Sequence, residues 1–323
     1  MDESSVPSFS FSVILSRMKL TINQLLAELR VNPSWAERLA EHLATEIQSI
    51  AAVSGGCINQ SYRVELETRQ CVFVKSKAQA GKVKAGTTDT MFTSEAQSLR
   101  LMNQCVPNCA PQVLAVEKDF LCLAWVEPKP PQPNDWFDAG VLLAKMHQTT
   151  SPRFGFEFDN YCGATQQRNG WADDGWVFFQ QQRLLAQLAM AKQQQRLSSN
   201  MVSRIQRIGH QLSNVIPEAP AVLLHGDLWS GNLMFSIGGP KLIDPAAHFG
   251  WAEADLAMTL MFGAFPPAFY AGYESMADVP ADWRERAAVY NLYHWLNHLN
   301  LFGESYLSAL ENCVAQCESL NNS

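Results

Sequence analysis

The sequence predicts an α+β protein with two lobes: a small N-terminal lobe with an antiparallel sheet plus helices, and a larger, mainly helical C-terminal lobe. Three observations support this prediction. Apolar, β-branched runs of strand length dominate the first third, helical periodicity dominates the remainder, and a proline-rich segment joins them. The predicted boundaries are a disordered extension over 1–17, lobes over 18–126 and 134–323, and a connector over 127–133.

The N-terminal lobe is predicted to begin with helices and to continue as strands. Apolar residues recur at helical spacing from Ile22 to Ile50, and Pro33 separates two helical segments. After that the pattern changes to period two. The predicted elements are strands over Ala51–Val53, Ser61–Leu66 and Gln70–Lys75, a helix over Met91–Gln104, and strands over Val113–Val116 and Phe120–Val126.

The connector Glu127–Pro133 is rich in proline, which stiffens a chain, and we interpret it as a hinge. Helical patterns follow it, over Asp135–Thr149 and Gly175–Arg196. One group of short strands interrupts the helices, and it carries the motif that decides the functional prediction. These strands are Val222–His225, Leu233–Phe235 and Lys241–Ile243.

Composition excludes several classes of protein. The 323 residues include 24 basic and 31 acidic side chains, a net charge of −7, which argues against a nucleic-acid partner. Eight cysteines form no CxxC pair, which favours buried thiols in a reducing compartment over zinc. The acidic N-terminus does not resemble a secretory signal, and the apolar stretch Leu256–Phe265 is too short to span a bilayer. We expect a cytoplasmic protein with no membrane partner.

An acid–amide–acid motif lies among the C-terminal strands. It consists of Asp227 and Asn232 in the segment HGDLWSGN, followed after a short hairpin by Asp244. In kinase-type phosphoryl transfer one carboxylate meets the acceptor hydroxyl, while an amide oxygen and a second carboxylate hold magnesium. Each residue alone is common in turns and caps. Their joint spacing predicts Asp227 as the catalytic base and Asn232 and Asp244 as magnesium ligands.

A glycine loop and a lysine strand predict an ATP site. The loop SGGCIN lies between two predicted strands, and glycines let backbone amides approach phosphates, although a plain hairpin turn explains them equally well. Lys75 ends the third strand, and Glu95 lies on the next predicted helix, the arrangement with which kinases hold the α- and β-phosphates. Together they indicate a kinase-like architecture. The loop residues assigned to the nucleotide are Gly55, Gly56, Cys57 and Asn59.

Several other polar residues have structural interpretations. His225 is predicted to bond nearby backbone, and Asp255 to cap a helix or to brace the loop of Asp227. His294 and His298 stand at i and i+4, where packing or substrate hydrogen bonding is favoured over zinc. Cys57 has two open interpretations, a redox-active thiol with a lowered pKa or a small loop residue.

The motifs resemble those of a known family. HGDLWSGN and LIDPA are similar to segments of the aminoglycoside/choline-kinase-like phosphotransferases. Further segments narrow the resemblance to the fructosamine kinase (ketosamine-3-kinase) family, over roughly Ile22 to Tyr306. These are SGGCIN with Tyr62, VFVK, FTSEA around Glu95, DNYCGAT from Asp159, and YNLYHWLNHLNLFG from Tyr290.

The resemblance implies a protein-kinase-like fold and an ATP- and magnesium-dependent transfer of the γ-phosphoryl group to the sugar 3-hydroxyl of a ketosamine. In this family the product decomposes and releases the amine, a deglycation repair. The resemblance also implies that Trp229 borders the sugar, and it places Trp125 and Glu127, at the start of the connector, among the nucleotide-binding residues. Secondary substrate contacts are implied for Gln167, Asn169 and His294.

Two alternative functions stay open at this point. One is a related small-molecule kinase for another alcohol, such as an aminoglycoside or choline; Trp229 and DNYCGAT favour the ketosamine kinase. The other is a redox-responsive nucleotide-binding module that Cys57 cross-links, against which the intact set of polar motif residues argues. The sequence leaves open which sugar is used, whether the amine is free or protein-bound, and whether the protein is a monomer or a homodimer.

Overall fold

The computed structural model describes residues 33–53, 59–77 and 90–320. The chain forms two compact units, with the boundary between residues 83 and 84. The predicted extension over 1–17 and the loop positions Gly55, Gly56 and Cys57 lie outside the described residues. The lobe boundary at the connector 127–133 stays a prediction.

The described part of the first unit is a helix followed by an antiparallel meander. Helix α1 spans Pro33–Leu43, and the strands are β1 Ile47–Ala52, β2 Gln60–Leu66 and β3 Cys71–Ser76. On the buried face Ile50 lies opposite Val64, and Val64 opposite Val72. The predicted antiparallel strands are confirmed here.

The predicted helical pattern up to Ile50 is wrong beyond Leu43. Ala44 has a left-handed backbone (φ 51°), and β1 begins at Ile47. The register of β1 against β2 shifts between Ile47 and Ser49, an irregularity of the β-bulge type. The extra residue puts Ile47 and Ile50 on the same buried face although they are three positions apart. A bulged strand therefore imitates helical spacing.

The second unit begins with helix α2, Met91–Cys105, and the hairpin of β4 Val113–Val116 and β5 Phe120–Ala124. The remaining elements up to residue 215 are α3 Pro133–His147, β6 Thr150–Ser151, β7 Asn160–Cys162, β8 Thr165–Gln167, α4 Gly175–Phe178, a π-helix over Phe179–Leu185, α5 Ala186–Gln193, α6 Ser199–His210 and α7 Leu212–Val215. The predicted helix over Gly175–Arg196 thus contains a π-helical segment, Phe179–Leu185. Such segments are frequent near functional sites.

The last third begins with four short strands and ends with four helices. They are β9 Ala221–Leu224, a 3-10 turn at Ser230–Asn232, β10 Leu233–Ser236, β11 Gly239–Leu242, β12 His248–Gly250, α8 Ala252–Met258, α9 Pro267–Glu274, α10 Trp283–Phe302, a 3-10 turn at Glu304–Tyr306 and α11 Leu307–Leu320. Strand β9 is central, between β12 and β6. All four of its residues are buried. The α+β prediction is confirmed.

The connector is fixed within the second unit. Pro128 forms a β-bridge with Ser236, and the backbone N–H of Lys129 donates to Phe235 at 2.8 Å. At the other end Asp135 accepts hydrogen bonds from Gln132 N and from Lys129 Nζ, both at 2.8 Å. This closes a capping box at the start of α3. Both ends of the proline-rich segment are therefore bonded to the β10–β11 hairpin or to α3.

Helices α3 and α9 cross with their backbones in contact. A Cβ atom at Gly140 would lie 1.9 Å from the Phe269 carbonyl oxygen, and one at Gly272 would lie 2.0 Å from the Phe137 carbonyl oxygen. The two glycines face each other's helix, so any side chain at either position would push the helices apart. Their crossing fixes the C-terminal ends of both helices, where His147 and Tyr273 lie.

The cysteines of the described residues are all free thiols. Burial raises the pKa of Cys109 and of Cys122 to about 12. Cys71 is half-buried, and its sulfur accepts a hydrogen bond from Arg63 at 2.8 Å. Within the described ranges, none of the helices has the length and apolarity needed to cross a membrane.

A buried ion pair gives a stability prediction. Arg286 donates two hydrogen bonds to Glu253, at 2.7 and 2.9 Å, and the Tyr290 hydroxyl donates a third at 3.1 Å. The substitution Glu253→Ala leaves three buried donor groups, two of Arg286 and one of Tyr290, without this acceptor. We therefore expect it to lower the free energy of unfolding by about 3 kcal/mol. Urea denaturation is the measurement. Glu318→Ala, which removes the partly exposed partner of Arg204, is the control and should cost less than about 1 kcal/mol. Equal losses would contradict the assigned importance of burial.

Candidate active site

The loop after β9 has a backbone that only glycine permits. Gly226 has φ +82°, and a Cβ atom there would lie 2.2 Å from the carbonyl oxygen of Ala246. The Ala246 N–H donates to the His225 carbonyl at 2.9 Å. This close approach joins the segment that carries Asp227 to the segment that follows Asp244.

Asp255, on α8, binds the backbone of this loop. Its carboxylate accepts the backbone N–H groups of His225 at 2.7 Å and Gly226 at 2.8 Å, and lies 3.2 Å from His147 Nε2. Burial alone would raise the pKa of Asp255, but the hydrogen bond and charge of His147, with those of the loop, hold that pKa below its usual value. Asp255 is therefore an ionised brace, and the predicted bracing role is confirmed.

His225 is a structural residue, as predicted. Its Nε2 contacts the Ile243 carbonyl oxygen at 2.9 Å, and its Nδ1 accepts the Asp227 N–H at 3.3 Å. A carbonyl oxygen only accepts, so these contacts require the neutral Nε2–H tautomer. Burial lowers the pKa of His225, which keeps the ring neutral. The imidazole thereby sets the distance between the Asp227 turn and the strand that leads to Asp244.

Asp227 has the electrostatic setting of a proton acceptor. Its side chain is 17% exposed. Burial and the charge of Asp244 raise the pKa of the Asp227 carboxyl to about 7, against a hydrogen bond from Asn232 that favours the ionised form. A carboxylate with a raised pKa accepts a proton near neutral pH more readily than an ordinary aspartate.

Asn232 and Asp244 offer the oxygen ligands that magnesium prefers. The Asn232 amide nitrogen donates to the Asp227 carbonyl at 2.8 Å and to its carboxylate at 3.3 Å, so the amide oxygen is the atom suited to a cation. The Ile243 N–H donates to the Asn232 carbonyl at 3.0 Å, which brings Asp244 beside this turn. Asp244 is exposed and has a left-handed backbone, φ 55°, which costs energy and is frequent at functional sites. These residues fit a magnesium ion.

His294 reaches the same carboxylate from α10. Its Nδ1 lies 3.9 Å from Asp227 Oδ1 and has no hydrogen-bond partner among the residues that the structure describes. Burial and the neighbouring His298 lower the pKa of His294 to about 3, so the ring is neutral. The Nδ1 of His298 instead bonds the His294 carbonyl at 2.8 Å. Of the two residues at i and i+4, His298 is thus bonded to its own helix, and a substrate hydrogen bond of His294 stays a prediction.

Trp229 lies at the open side of the loop, with 38% of its surface exposed. Its indole covers Gly231, where a Cβ atom would lie 2.3 Å from the ring. The backbone N–H of Trp229 donates to the Asp227 carbonyl at 3.2 Å. Glycine at position 231 therefore lets the indole pack over the turn that follows Asp227.

A buried polar network lies behind the loop, and it contains two residues that the resemblance assigned to substrate. Gln167 Nε2 donates to the Ala246 carbonyl at 3.0 Å, and Asn160 Nδ2 donates to the Ala247 carbonyl at 2.8 Å. Asn169 joins Asn160 to the guanidinium of Arg183. Gln167 and Asn169 are 2% and 0% exposed. The structure places both as supports of the 246–247 segment, and their substrate contact stays a prediction.

The residues assigned to the nucleotide are described separately in the two units. Asn59 precedes β2, and Lys75 lies in β3 and is buried. Glu95 is half-buried on α2. The Nε1–H of Trp125, just before the connector, donates to Glu127 at 2.8 Å. Their nucleotide contacts stay predictions.

Three contributors to the site were not singled out from the sequence. His147 and Tyr293 support the loop from elements distant in sequence, and Phe262 contacts the Trp229 ring. A lone histidine at a helix end, or an aromatic residue before a turn, carries no spacing signal. Only the fold brings them to the site.

The Asp255 brace gives a prediction for the loop. In Asp255→Asn one acceptor oxygen becomes an N–H₂ donor that faces backbone N–H groups, so at least one buried donor loses its partner. We expect the free energy of unfolding to fall by about 2–3 kcal/mol and turnover to fall with it. Chemical denaturation and the activity assay below are the measurements. Asp138→Asn, at an exposed position of α3, is the control. Wild-type stability in Asp255→Asn would contradict the bracing role.

Comparison with known proteins places the chain in a family. The fructosamine kinase family profile matches residues 32–320. A probable ketoamine kinase of Synechocystis sp. is 38% identical over 278 residues, which cover 84% of this chain and 90% of that protein. A probable ketoamine kinase of Vibrio parahaemolyticus is 38% identical over 280 residues, covering 84% and 94%.

Solved structures support the same conclusion. A crystal structure of a fructosamine-3-kinase candidate from Thermobifida fusca has a TM-score of 0.82 at 30% identity, and covers 88% of this chain and 99% of that one. An aminoglycoside phosphotransferase shares the fold, with a TM-score of 0.58 at 11% identity over 89% and 97% of the two chains. The predicted protein-kinase-like fold is confirmed. The chain belongs to the fructosamine kinase family.

Proposed function

We propose that this protein is a ketosamine kinase that transfers the γ-phosphoryl group of ATP to the sugar 3-hydroxyl of a ketosamine. One observation supports the proposal above others. A partly buried carboxylate with a raised pKa, Asp227, lies beside two candidate oxygen ligands, Asn232 and Asp244, on a loop that also carries an exposed indole, Trp229. That set combines a base, a cation site and a surface for a sugar.

Asp227 would accept the proton of the acceptor hydroxyl, or orient that hydroxyl for in-line attack. Its hydrogen bond from Asn232 fixes the direction of the carboxylate. The brace from Asp255 fixes the loop that carries it. Burial and the charge of Asp244 raise the pKa of the Asp227 carboxyl, which favours uptake of a proton from the hydroxyl.

Magnesium and ATP are the proposed cofactors. Asn232 and Asp244 would hold the metal, which when bound neutralises charge on the phosphates. Lys75 and Glu95 are the proposed pair for the α- and β-phosphates, and the SGGCIN loop, Trp125 and Glu127 the proposed further nucleotide contacts. Among these residues, the metal ligands have the strongest support, since their backbone bonds bring them beside Asp227.

The acceptor is proposed to bind between Trp229 and His294. The C–H faces of a sugar pack well on an indole, and the neutral ring of His294 can bond a hydroxyl beside Asp227. Gln167 and Asn169 are proposed to act on the acceptor through the 246–247 segment that their network supports. The phosphorylated product would release its amine, which makes the activity a repair of glycation.

A coupled ADP-release assay with Mg-ATP tests the proposal. Ribulosyl-lysine, fructosyl-lysine, choline and an aminoglycoside are compared as acceptors. We expect ADP release with a ketosamine. Release with choline or the aminoglycoside alone would replace the proposal with a related small-molecule kinase. No release from any acceptor, together with measurable ATP binding, would contradict an enzymatic role toward these alcohols and favour a nucleotide-binding module.

The base gives the first prediction for this activity. Asp227→Asn keeps the size of the side chain but removes its capacity to accept a proton, so we expect turnover to fall by roughly 10²–10⁴. ATP affinity should stay close to that of the wild type. The coupled assay and calorimetric nucleotide titration are the measurements. Near-wild-type turnover would show that Asp227 is not the base.

The metal ligand gives the second prediction. Asp244→Ala removes a carboxylate ligand, so we expect the magnesium-dependent part of nucleotide affinity to be lost, about tenfold or more. Nucleotide titration with and without Mg²⁺ measures it. Asp244→Asn is the matched variant, since asparagine tolerates the left-handed backbone at φ 55° and separates loss of charge from backbone strain. Unchanged magnesium dependence in both variants would rule out the ligand role.

A further inference from the structure

A cluster of touching ring side chains adjoins Trp229 on the surface of the second unit. We name it the aromatic shelf, and it consists of Trp229, Phe262, Trp295, His298, Phe302 and Tyr306. Neighbouring rings are in contact from one end to the other. The centroid distances are 6.0 Å for Trp229–Phe262, 5.6 Å for Phe262–Trp295, 5.1 Å for Phe262–His298, 5.1 Å for His298–Tyr306 and 5.8 Å for Phe302–Tyr306.

The shelf is open to solvent. Trp229, Phe262 and Phe302 are 38%, 39% and 46% exposed, and they belong to one set of touching rings. Other exposed apolar side chains of the described residues, such as Ile237 on the β10–β11 turn, lie outside this set. Scattered exposed apolar residues are ordinary, whereas a continuous patch marks an interaction surface.

The shelf carries little charge of its own. His298 is its only titratable imidazole, and burial lowers the pKa of that ring, so it is neutral at neutral pH. Its Nδ1 is engaged with the His294 carbonyl, which leaves the ring to pack between Phe262 and Tyr306. An apolar or aromatic occupant therefore fits this surface better than a charged one.

We propose that the aromatic shelf binds peptide residues next to a glycated lysine, so that the kinase prefers peptide-borne ketosamines with aromatic neighbours. This inference rests on the proposed function. If the sugar lies between Trp229 and His294, beside Asp227, the amine that it modifies extends from the sugar past the Trp229 ring. The next surface along that direction is Phe262, and the shelf continues from there.

The length of the shelf favours a peptide over a free amino acid. Trp295 and Phe302 are seven positions apart on one helix, a distance of about 10 Å at about 1.5 Å per residue. About three residues of an extended peptide, at roughly 3.3 Å each, cover that distance. The edge-on and tilted packing of the shelf rings suits an incoming aromatic side chain.

The test compares acceptors that carry the same sugar. They are the free ketosamine of lysine, a pentapeptide whose central ketosamine-lysine has phenylalanine neighbours, the same peptide with glycine neighbours, and a small aryl-amine ketosamine. The value of kcat/KM is measured by ADP release with Mg-ATP. We expect the phenylalanine peptide to exceed the glycine peptide by about 3- to 10-fold, mainly through KM.

Variants locate the preference on the shelf. Phe302→Ala and Phe262→Ala should bring the ratio of the two peptides close to one, and Ile237→Ala, an exposed apolar residue off the shelf, should leave the ratio unchanged. Thermal unfolding of each variant checks that it is folded. Should Phe302→Ala unfold the protein, Phe302→Ser and Phe262→Ala carry the same comparison.

The outcomes separate this inference from the proposed function. If the free ketosamine is turned over and the two peptides have nearly equal kcat/KM, the shelf does not bind the peptide. The proposed ketosamine kinase activity is unaffected by that result. An unchanged ratio in both shelf variants also contradicts peptide binding by the shelf. If the aryl-amine ketosamine has the same kcat/KM as the phenylalanine peptide, the shelf binds small aryl amines, and the peptide proposal is wrong. Absence of turnover with every ketosamine overturns both proposals.

Discussion

The carboxylate of Asp255 is the constraint on which the rest of the site depends. A buried ionised group is stable only where its partners satisfy it, and here two backbone N–H groups of the loop and an imidazole do so. The same bonds restrain the backbone of the loop at His225 and Gly226. Because His147 is bonded in turn to Tyr273 at 2.7 Å, the position of the loop is linked to the crossing of α3 and α9, where Gly140 and Gly272 bring the two backbones into contact.

The proton affinity of Asp227 follows from the same arrangement. Asp227, Asp244 and Asp255 lie on three segments that the fold holds close together, and the negative charges of the latter two add to burial in raising the pKa of the first. Asn232 opposes them with a hydrogen bond. Carboxylates that lie this close together therefore raise the proton affinity of Asp227. The fold also holds Asp244 in a left-handed backbone conformation, at a cost in local strain.

Much of the fold, and the local part of the site, could be predicted from the sequence, since the acid–amide turn and its hairpin are built from residues close in the chain. The distant supports could not. Asn160 and Arg183 both bond the Asn169 side chain, and Tyr293 bonds that of Gln167, and such bonds leave no periodic signal in the sequence. The bulge in β1 misled the helical prediction, because it places Ile47 and Ile50 on one face at a spacing typical of a helix.

The dependence of the loop on Asp255 also has a consequence for biosynthesis. A chain emerges from the ribosome N-terminus first, so the segment of Asp227 is made before the carboxylate that fixes its backbone. His294 follows later still, on α10. The nascent protein thus carries Asp227 on a loop without its brace until most of the chain is complete. Translation that stops before α8 would yield a chain in which the backbone N–H groups of His225 and Gly226 lack the Asp255 carboxylate.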